Sequence, residues 1–334
     1  MTGTLPSGAP PSAAFVFPGQ GAQYPAMTSR LVLESQRYGA HLQAASAALE
    51  PHTEVQLLDL IVAGDERIGR PGLAEPALFA VQYALARTLQ EFGLAPCAVL
   101  GHGLGEFAAA VAAGALPLGH AAPLVAGFGT VSCERFAALA ARAPAGVPQT
   151  PFYSSARGRR LSGELLDGGY WIELRTSPER FEPALADLLL LEEPATVVEI
   201  GPRPMLSALI EALGDGRAVC LPVCRSLDAP AAALYEVLER VGLGRKGDDP
   251  ITRIVLDAVA EVLAEPGAPI GLDAALRNDL GFDSVMLMRL KFRLEQRIPE
   301  VGKIALRDML EYLVTPGVVA DFLRLQLAAA PALP

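Results

Sequence analysis

The stretch Val99-Leu100-Gly101-His102-Gly103-Leu104-Gly105-Glu106 has the pattern of a strand that turns tightly into a helix. It reads as a nucleophile elbow, G-x-S-x-G, in which a strained strand-to-helix turn projects a serine hydroxyl for acyl transfer. The central position here is Gly103, so the turn is present and the nucleophilic oxygen is absent. Glycine has its own physical logic at that point. A strained backbone costs a residue with a Cβ about 1–3 kcal/mol, and glycine removes most of that cost.

An elbow needs a strand before it, a helix behind it and a sheet around it. Phe15-Val16-Phe17 is a short apolar strand ending in the turn Pro18-Gly19-Gln20-Gly21. Helical patterns cover residues 35–49 and 76–92, and Ala98-Val99-Leu100 is a second buried strand leading to the helix at 106–113. Residues 152–156, 196–200 and 218–223 are further strand candidates, with a helix over 204–213. Strands alternating with helices predict an α/β domain with a parallel sheet covered on both faces.

Composition agrees. The chain has 334 residues, 51% of them hydrophobic and 19% charged, which suffices for two domains with real cores. The net charge is −10, and no Lys/Arg cluster offers a nucleic-acid footprint. Four cysteines (Cys97, Cys133, Cys220, Cys224) form no zinc pattern, and read as buried reduced thiols. No metal site is expected. Residues 1–12 are rich in Pro, Ser, Gly and Ala without a basic or apolar region, and read as a disordered leader rather than a signal peptide. No apolar run reaches the roughly 20 residues that span a bilayer, so the expected location is cytoplasmic.

The polar, glycine-rich stretch 242–249 reads as a linker between a domain at 13–241 and a helical one at 250–328, followed by a tail at 329–334. In the second domain Ile251, Ile254, Val255, Ala258, Val262 and Leu263 predict one buried helix face. Leu287, Leu290, Leu294 and Ile298 predict another. Thr315-Pro316 is a helix start, with Thr as N-cap, and Val318, Val319, Phe322 and Leu323 supply its inner face.

Five segments in order and spacing make the first domain resemble the acyltransferase domain of type I polyketide and fatty acid synthases. They are Phe15-Val-Phe-Pro-Gly-Gln-Gly-Ala-Gln23, Glu75-Pro-Ala-Leu-Phe-Ala-Val-Gln82, Gly101-His-Gly-Leu-Gly-Glu106, Tyr170-Trp171-Ile172 and Val198-Glu-Ile-Gly-Pro202. The resemblance implies a hydrolase-like parallel-sheet core. It also implies an elbow serine that takes the acyl group from coenzyme A, activated by a histidine and an oxyanion site. An arginine on the following helix would hold the carboxylate of a malonyl-type substrate.

Three departures touch that machinery. The serine position is Gly103. The arginine position, in Leu124-Val-Ala-Gly-Phe-Gly129, is Phe128. The segment from about 129 to 151 is too short for the family's ferredoxin-like subdomain and the histidine motif that follows it. None of the four histidines (His41, His52, His102, His120) stands in the catalytic context. Gln20 and the N–H of Leu104 would still form an oxyanion-type pocket, or simply maintain the fold. One exchange could be engineered; three concerted losses read as a naturally degenerate domain.

The second domain resembles an acyl carrier protein, a small four-helix bundle. Asp279-Leu-Gly-Phe-Asp-Ser-Val285 matches the attachment motif and Met288-Arg-Leu-Lys-Phe-Arg-Leu-Glu295 the second helix. The resemblance implies 4′-phosphopantetheine on Ser284, beside Asp283 at a helix N-terminus whose field favours the phosphodiester. Arg289, Lys291 and Arg293 make that helix basic, either as a solvated face or as a docking face for a partner with an acidic patch. The expected role is a non-catalytic acyltransferase-like scaffold whose carrier presents acyl thioesters. Expected partners are a phosphopantetheinyl transferase and a ketosynthase, separate acyltransferase or tailoring enzyme. The second reading is an acyltransferase of non-standard mechanism for acyl groups lacking a free carboxylate.

Overall fold

Two strands with almost every side chain buried, Ala13–Phe17 (β1) and Pro96–Gly101 (β2), lie parallel at the centre of a six-stranded sheet. Runs apolar on both faces are what a covered parallel sheet requires. The sheet belongs to a computed structural model that describes residues 13–225, 231–243, 250–266, 268, 270–272 and 274–329. The other strands are Phe152–Ser154 (β3), Arg159–Arg160 (β4), Thr196–Glu199 (β5) and Val219–Pro222 (β6), in the order β4-β3-β2-β1-β5-β6. All pairings are parallel except β3 with β4. The parallel-sheet core expected from sequence is present, with one antiparallel strand added at its edge. There Gly158, at φ +70°, reverses the chain, and a two-residue strand is too short to show a pattern.

Helices of the first unit lie between these strands and after the last of them. Ser29–Glu34 (α1), Gln36–Thr53 (α2), Leu57–Ala63 (α3) and Ala74–Glu91 (α4) lie between β1 and β2. Gly105–Ala112 (α5), Leu118–Phe128 (α6) and Cys133–Ala140 (α7) follow the elbow. Gly168–Thr176 (α8), Phe181–Glu192 (α9), Ser207–Gly214 (α10) and Ala231–Leu238 (α11) complete the unit. On one face of the sheet Ala14, Val16, Ala98, Leu100 and Val197 pack with Phe181, Leu185 and Leu188 of α9 and Ile210 of α10. The alternate residues Phe15, Phe17 and Val99 are buried on the opposite face, where α5 crosses β1 and β2. Between α6 and β3 the chain holds only α7 and an extended segment bridged at Gly146 and Leu166. No ferredoxin-like subdomain stands there.

The chain divides into two compact units, up to Gly242 and from Leu243. The second is helical: Pro250–Val262 (α12), Ser284–Arg297 (α13), the short Leu306–Leu310 (α14) and Pro316–Ala329 (α15). Leu287, Leu290, Leu294 and Ile298 are buried as expected. The inner face of α12 is rotated from the expected stripe. Val255 and Ala258 of that stripe are buried, together with Thr252, Leu256 and Val259, whereas Ile251, Ile254, Val262 and Leu263 are half-buried. Val318 is exposed while Val319, Phe322 and Leu323 face inward, and Val318 N–H donates to the Thr315 hydroxyl (3.3 Å), as a Thr N-cap should. Cys220 and Cys224 are buried thiols, but Cys133 is exposed and Cys97 half-buried. The expectation of buried thiols therefore fails at Cys133, which begins an amphipathic surface helix.

The sequence reading of residues 1–12 as a leader lies outside the described residues, as do most of the linker and all but the first residue of the tail. No helix among the described residues is long and apolar enough to cross a membrane.

Candidate functional site: an elbow with glycine at its centre

The elbow forms where β2 ends, and its outer glycines are imposed by packing. A Cβ on Gly101 would lie 2.2 Å from the Glu106 nitrogen, and one on Gly105 2.3 Å from the Phe17 carbonyl oxygen. Gly103 is different. Its φ is +50°, but the nearest atoms a Cβ there would meet belong to the Glu179 carboxyl group, with Oε1 at 3.5 Å and Oε2 at 3.6 Å. A side chain at Gly103, the position expected for the nucleophile, would therefore meet no backbone atom among its nearest neighbours.

The turn is held from below by a buried carboxyl group. Glu106, fully buried at the start of α5, accepts from the Ser155 hydroxyl (2.7 Å), the Ala156 N–H (3.1 Å) and the Tyr170 hydroxyl. The Ser155 oxygen in turn accepts from Gly103 N–H at 3.3 Å. Burial pushes Glu106 up to about 7, against the opposing pull of these hydrogen bonds. This group ties the elbow, β3 and α8 into one body.

A cavity of about 280 Å³ opens over Gly103. Gln20 and Leu104, the two residues of the expected oxyanion-type pocket, both line it. The Gln20 amide donates one bond to Glu75 (2.8 Å), and Glu75 is itself fixed by Gly72 N–H. Phe128 also lines the cavity, with its ring edge-on to Phe107 (5.4 Å) and Phe136 (5.9 Å). Phe128, the residue at the position where the resemblance leads one to expect an arginine, thus gives the cavity an aromatic wall. Tyr24 does not fill the space. Its hydroxyl donates to the Pro202 carbonyl (3.0 Å), and burial pushes its pKa up to about 12.

Sequence reasoning missed Glu179. It sits in the loop between α8 and α9, and its Oε1 lies 3.2 Å from Nδ1 of His102. The His102 ring packs edge-on to Phe181 at 4.8 Å. No motif flags Ser177-Pro178-Glu179, because only folding brings that loop to the elbow. His41 pairs instead with Glu91 at 2.9 Å, His52 and His120 are exposed, and none of the three lines the cavity over Gly103.

In the second unit Asp283 is the N-cap of α13, accepting from Met286 N–H at 2.7 Å. Ser284, the first residue of the helix, is exposed. An accessible hydroxyl at the N-terminus of a 14-residue helix fits a covalent phosphodiester. The proposed basic docking set is not uniform. Lys291 is spent on Glu295 (2.7 Å) and Arg293, with Arg297, on Glu261. Arg289 is exposed and makes no ion pair among the described residues. Beside it Val285, Met288 and Phe292 are more than half exposed. Of the three basic residues expected on this face, Lys291 and Arg293 are therefore ion-paired, and Arg289 stands in an exposed apolar strip.

Residues 14–135 match the acyl transferase domain family and residues 253–323 the phosphopantetheine attachment site family. The attachment domain carries covalently bound 4′-phosphopantetheine as its cofactor. Erythronolide synthase EryA3 of Saccharopolyspora erythraea is 45% identical over 125 residues, covering 37% of this chain and 4% of that protein. Polyketide synthase GfsB of Streptomyces halstedii is 27% identical over 347 residues, covering 78% and 6% respectively. The chain thus spans only a small fraction of these relatives. Among solved structures, a loading acyltransferase from the avermectin modular polyketide synthase superposes with a TM-score of 0.62 at 24% identity, over 69% of this chain and all of that one. The MCAT of Streptococcus pneumoniae gives a TM-score of 0.59 at 19% identity, over 69% of this chain and 100% of that one. These superpositions establish an acyltransferase fold.

Proposed function

We propose a role for this chain from its homology to type I polyketide synthase modules, of which it carries an acyl transferase domain and a phosphopantetheine-attachment domain. Its carrier, residues 250–328, bears the arm on Ser284 and presents acyl thioesters to partner enzymes of a cytoplasmic assembly line. Residues 13–241 are a transferase-like scaffold that has lost transfer chemistry, and 242–249 link the two. The observation that carries this reading is the seat at Gly103, which faces a carboxyl group instead of holding a hydroxyl. Phe128 and the absent histidine segment point the same way. Without nucleophile and base, only binding and any residual oxyanion donors remain. Partners of the carrier are a phosphopantetheinyl transferase, and a ketosynthase, separate acyltransferase or tailoring enzyme.

The experiment is to treat the purified chain with a phosphopantetheinyl transferase, then with labelled acyl-coenzyme A, and to follow intact mass. The arm should appear in the native chain and not in Ser284→Ala. No acyl group should follow unless a separate transferase is added. Self-acylation that requires residues 13–241 would overturn the reading.

A further inference from the structure

Glu106, at the start of α5, is fully buried and has no cationic partner among the described residues. Two neighbouring segments reach its carboxyl group. The Ser155 hydroxyl (2.7 Å), the Ala156 N–H (3.1 Å) and the Ser154 hydroxyl (3.5 Å) come from the end of β3 and the turn after it, and the Tyr170 hydroxyl comes from α8. The guanidinium on the α8 side, Arg157, lies over the Tyr170 ring at 5.3 Å but is spent on Glu173 (2.7 Å), with Glu164 at 3.9 Å. Charged groups on the other elements packed against α5 are turned elsewhere. Glu75 of α4 bonds to Gln20 and Gly72, and Arg87 and Glu91 of the same helix bond to Gln90 and His41. His102, just beyond β2, pairs with Glu179, and His120 of α6 is exposed.

The hydrogens available make this cluster depend on a proton. Tyr170 has one hydroxyl hydrogen and two oxygen partners, Glu106 and Ser154 Oγ, the latter at 2.8 Å. In its acid form Glu106 supplies the hydrogen of the shared contact, and the Tyr170 hydrogen serves Ser154. As a carboxylate Glu106 takes the Tyr170 hydrogen, the Ser154 contact loses its donor, and an unpaired charge stands in a site closed to water. The segments tied at Glu106 are also walls of the cavity over Gly103. The elbow gives that cavity Gly103 and Leu104, the turn after β3 gives Ser155 and Ala156, and α8 gives Leu174. Ser155 belongs to both, lining the cavity and donating to Glu106.

We propose that Glu106 is a proton-operated latch: its acid form clamps α8 and the turn after β3 onto the elbow, and its carboxylate form releases α8 and lets water reach the base of the cavity past Ser155. Burial pushes Glu106 up to about 7, which puts the changeover near neutrality, with the clamped form below it and the loosened form above. The latch is a property of the fold and is independent of whether residues 13–241 transfer acyl groups.

Trp171 is the chain's one tryptophan and stands beside the latch. It is fully buried in α8, stacked on Phe107 of α5 (4.9 Å) and edge-on to Tyr170 (5.1 Å). The test measures acrylamide quenching of its fluorescence in the full chain from about pH 5.5 to about pH 8.5, with far-ultraviolet circular dichroism alongside. The quenching constant should rise at least about twofold across a midpoint near 7 while the dichroism stays constant. Glu106→Gln should abolish the rise. Tyr170→Phe removes a donor that favours the carboxylate, so its midpoint should move to higher pH. Quenching of the native chain that is flat over this range, or a rise that persists in Glu106→Gln, overturns the latch. Loss of dichroism together with the rise also overturns it, because the transition is then global unfolding. Should Glu106→Gln not fold, Tyr170→Phe decides: a midpoint equal to or below the native one overturns the proposal.

Discussion

The Oε1 atom of Glu179 stands 3.5 Å from the point where a side chain on Gly103 would begin. The space above Gly103 is therefore open in volume but faces an acid, and on the proposed reading a serine placed there should not by itself create a transferase. Gly103→Ser would place a Cβ at φ +50°, at a cost of about 1–2 kcal/mol. Its hydroxyl would face the Glu179 carboxylate with no histidine base of the expected kind and no arginine clamp. The variant should melt at lower temperature than the native chain and gain no acyl group from acyl-coenzyme A in intact mass. Stoichiometric acylation of Gly103→Ser would mean that the remaining parts suffice for chemistry.

Glu106 makes the elbow sensitive to pH. Its carboxyl group is held near 7 by burial, against an ordinary 4.5. The folded state therefore keeps a proton that the unfolded state has released between those values. Stability from this group is fully present below about pH 4.5 and falls as pH rises toward 7, by up to about 3 kcal/mol for a shift of this size. Glu106→Gln removes the titration and keeps a polar group of the same shape. The difference in melting temperature between native chain and variant, followed from pH 4.5 to 8, should drift in favour of Glu106→Gln. A constant difference would show that Glu106 does not titrate in that window.

Much of the first unit was legible because its strands are short apolar runs and its elbow glycines are dictated by local packing. Gly101 and Gly105 are examples, since each meets backbone atoms closer than any Cβ tolerates. The second unit's α13 was legible from Leu287, Leu290 and Leu294 at helical spacing. What stayed hidden has a common cause: it depends on which distant segment folds against which. The periodicity of α12 permits two adjacent faces, and packing chose the one centred on Val255 and Val259. Glu179 has no local signature, and its significance arises only when the α8–α9 loop reaches the elbow. Arg293 looked like a free cation until Glu261, 32 residues earlier, was found beside it.

That correction separates the basic residues of α13 by experiment. Lys291→Glu would break a half-buried pair with Glu295 and set two carboxylates against each other, destabilising the second unit by about 0.5–1 kcal/mol. Arg289→Glu touches no ion-pair partner among the described residues and should change stability by less than about 0.5 kcal/mol. If a partner enzyme reads this helix through charge, Arg289→Glu should lower its turnover on the carrier at low salt, and the deficit should shrink as ionic strength rises. Equal turnover of Arg289→Glu and native chain at low salt would leave the exposed Val285, Met288 and Phe292 as the recognised surface.

Asp283 and Ser284 are neighbours with separable roles. The Asp283 carboxylate accepts from Met286 N–H at 2.7 Å and so satisfies one of the unpaired donors of the first turn. Asp283→Ala should cost the second unit about 1 kcal/mol. Asp283→Asn keeps a capping oxygen and should lose only the charge–dipole contribution, about 0.3–1 kcal/mol. Neither change removes the exposed Ser284 hydroxyl, so both variants should still accept the arm at the end-point of the transferase reaction, and Ser284→Ala should not. Urea denaturation and intact mass, run on the same three variants, read the two roles independently. An Asp283→Asn chain that unfolds near the native midpoint yet stays unmodified would move Asp283 from helix cap to recognition residue, because only its charge would have changed.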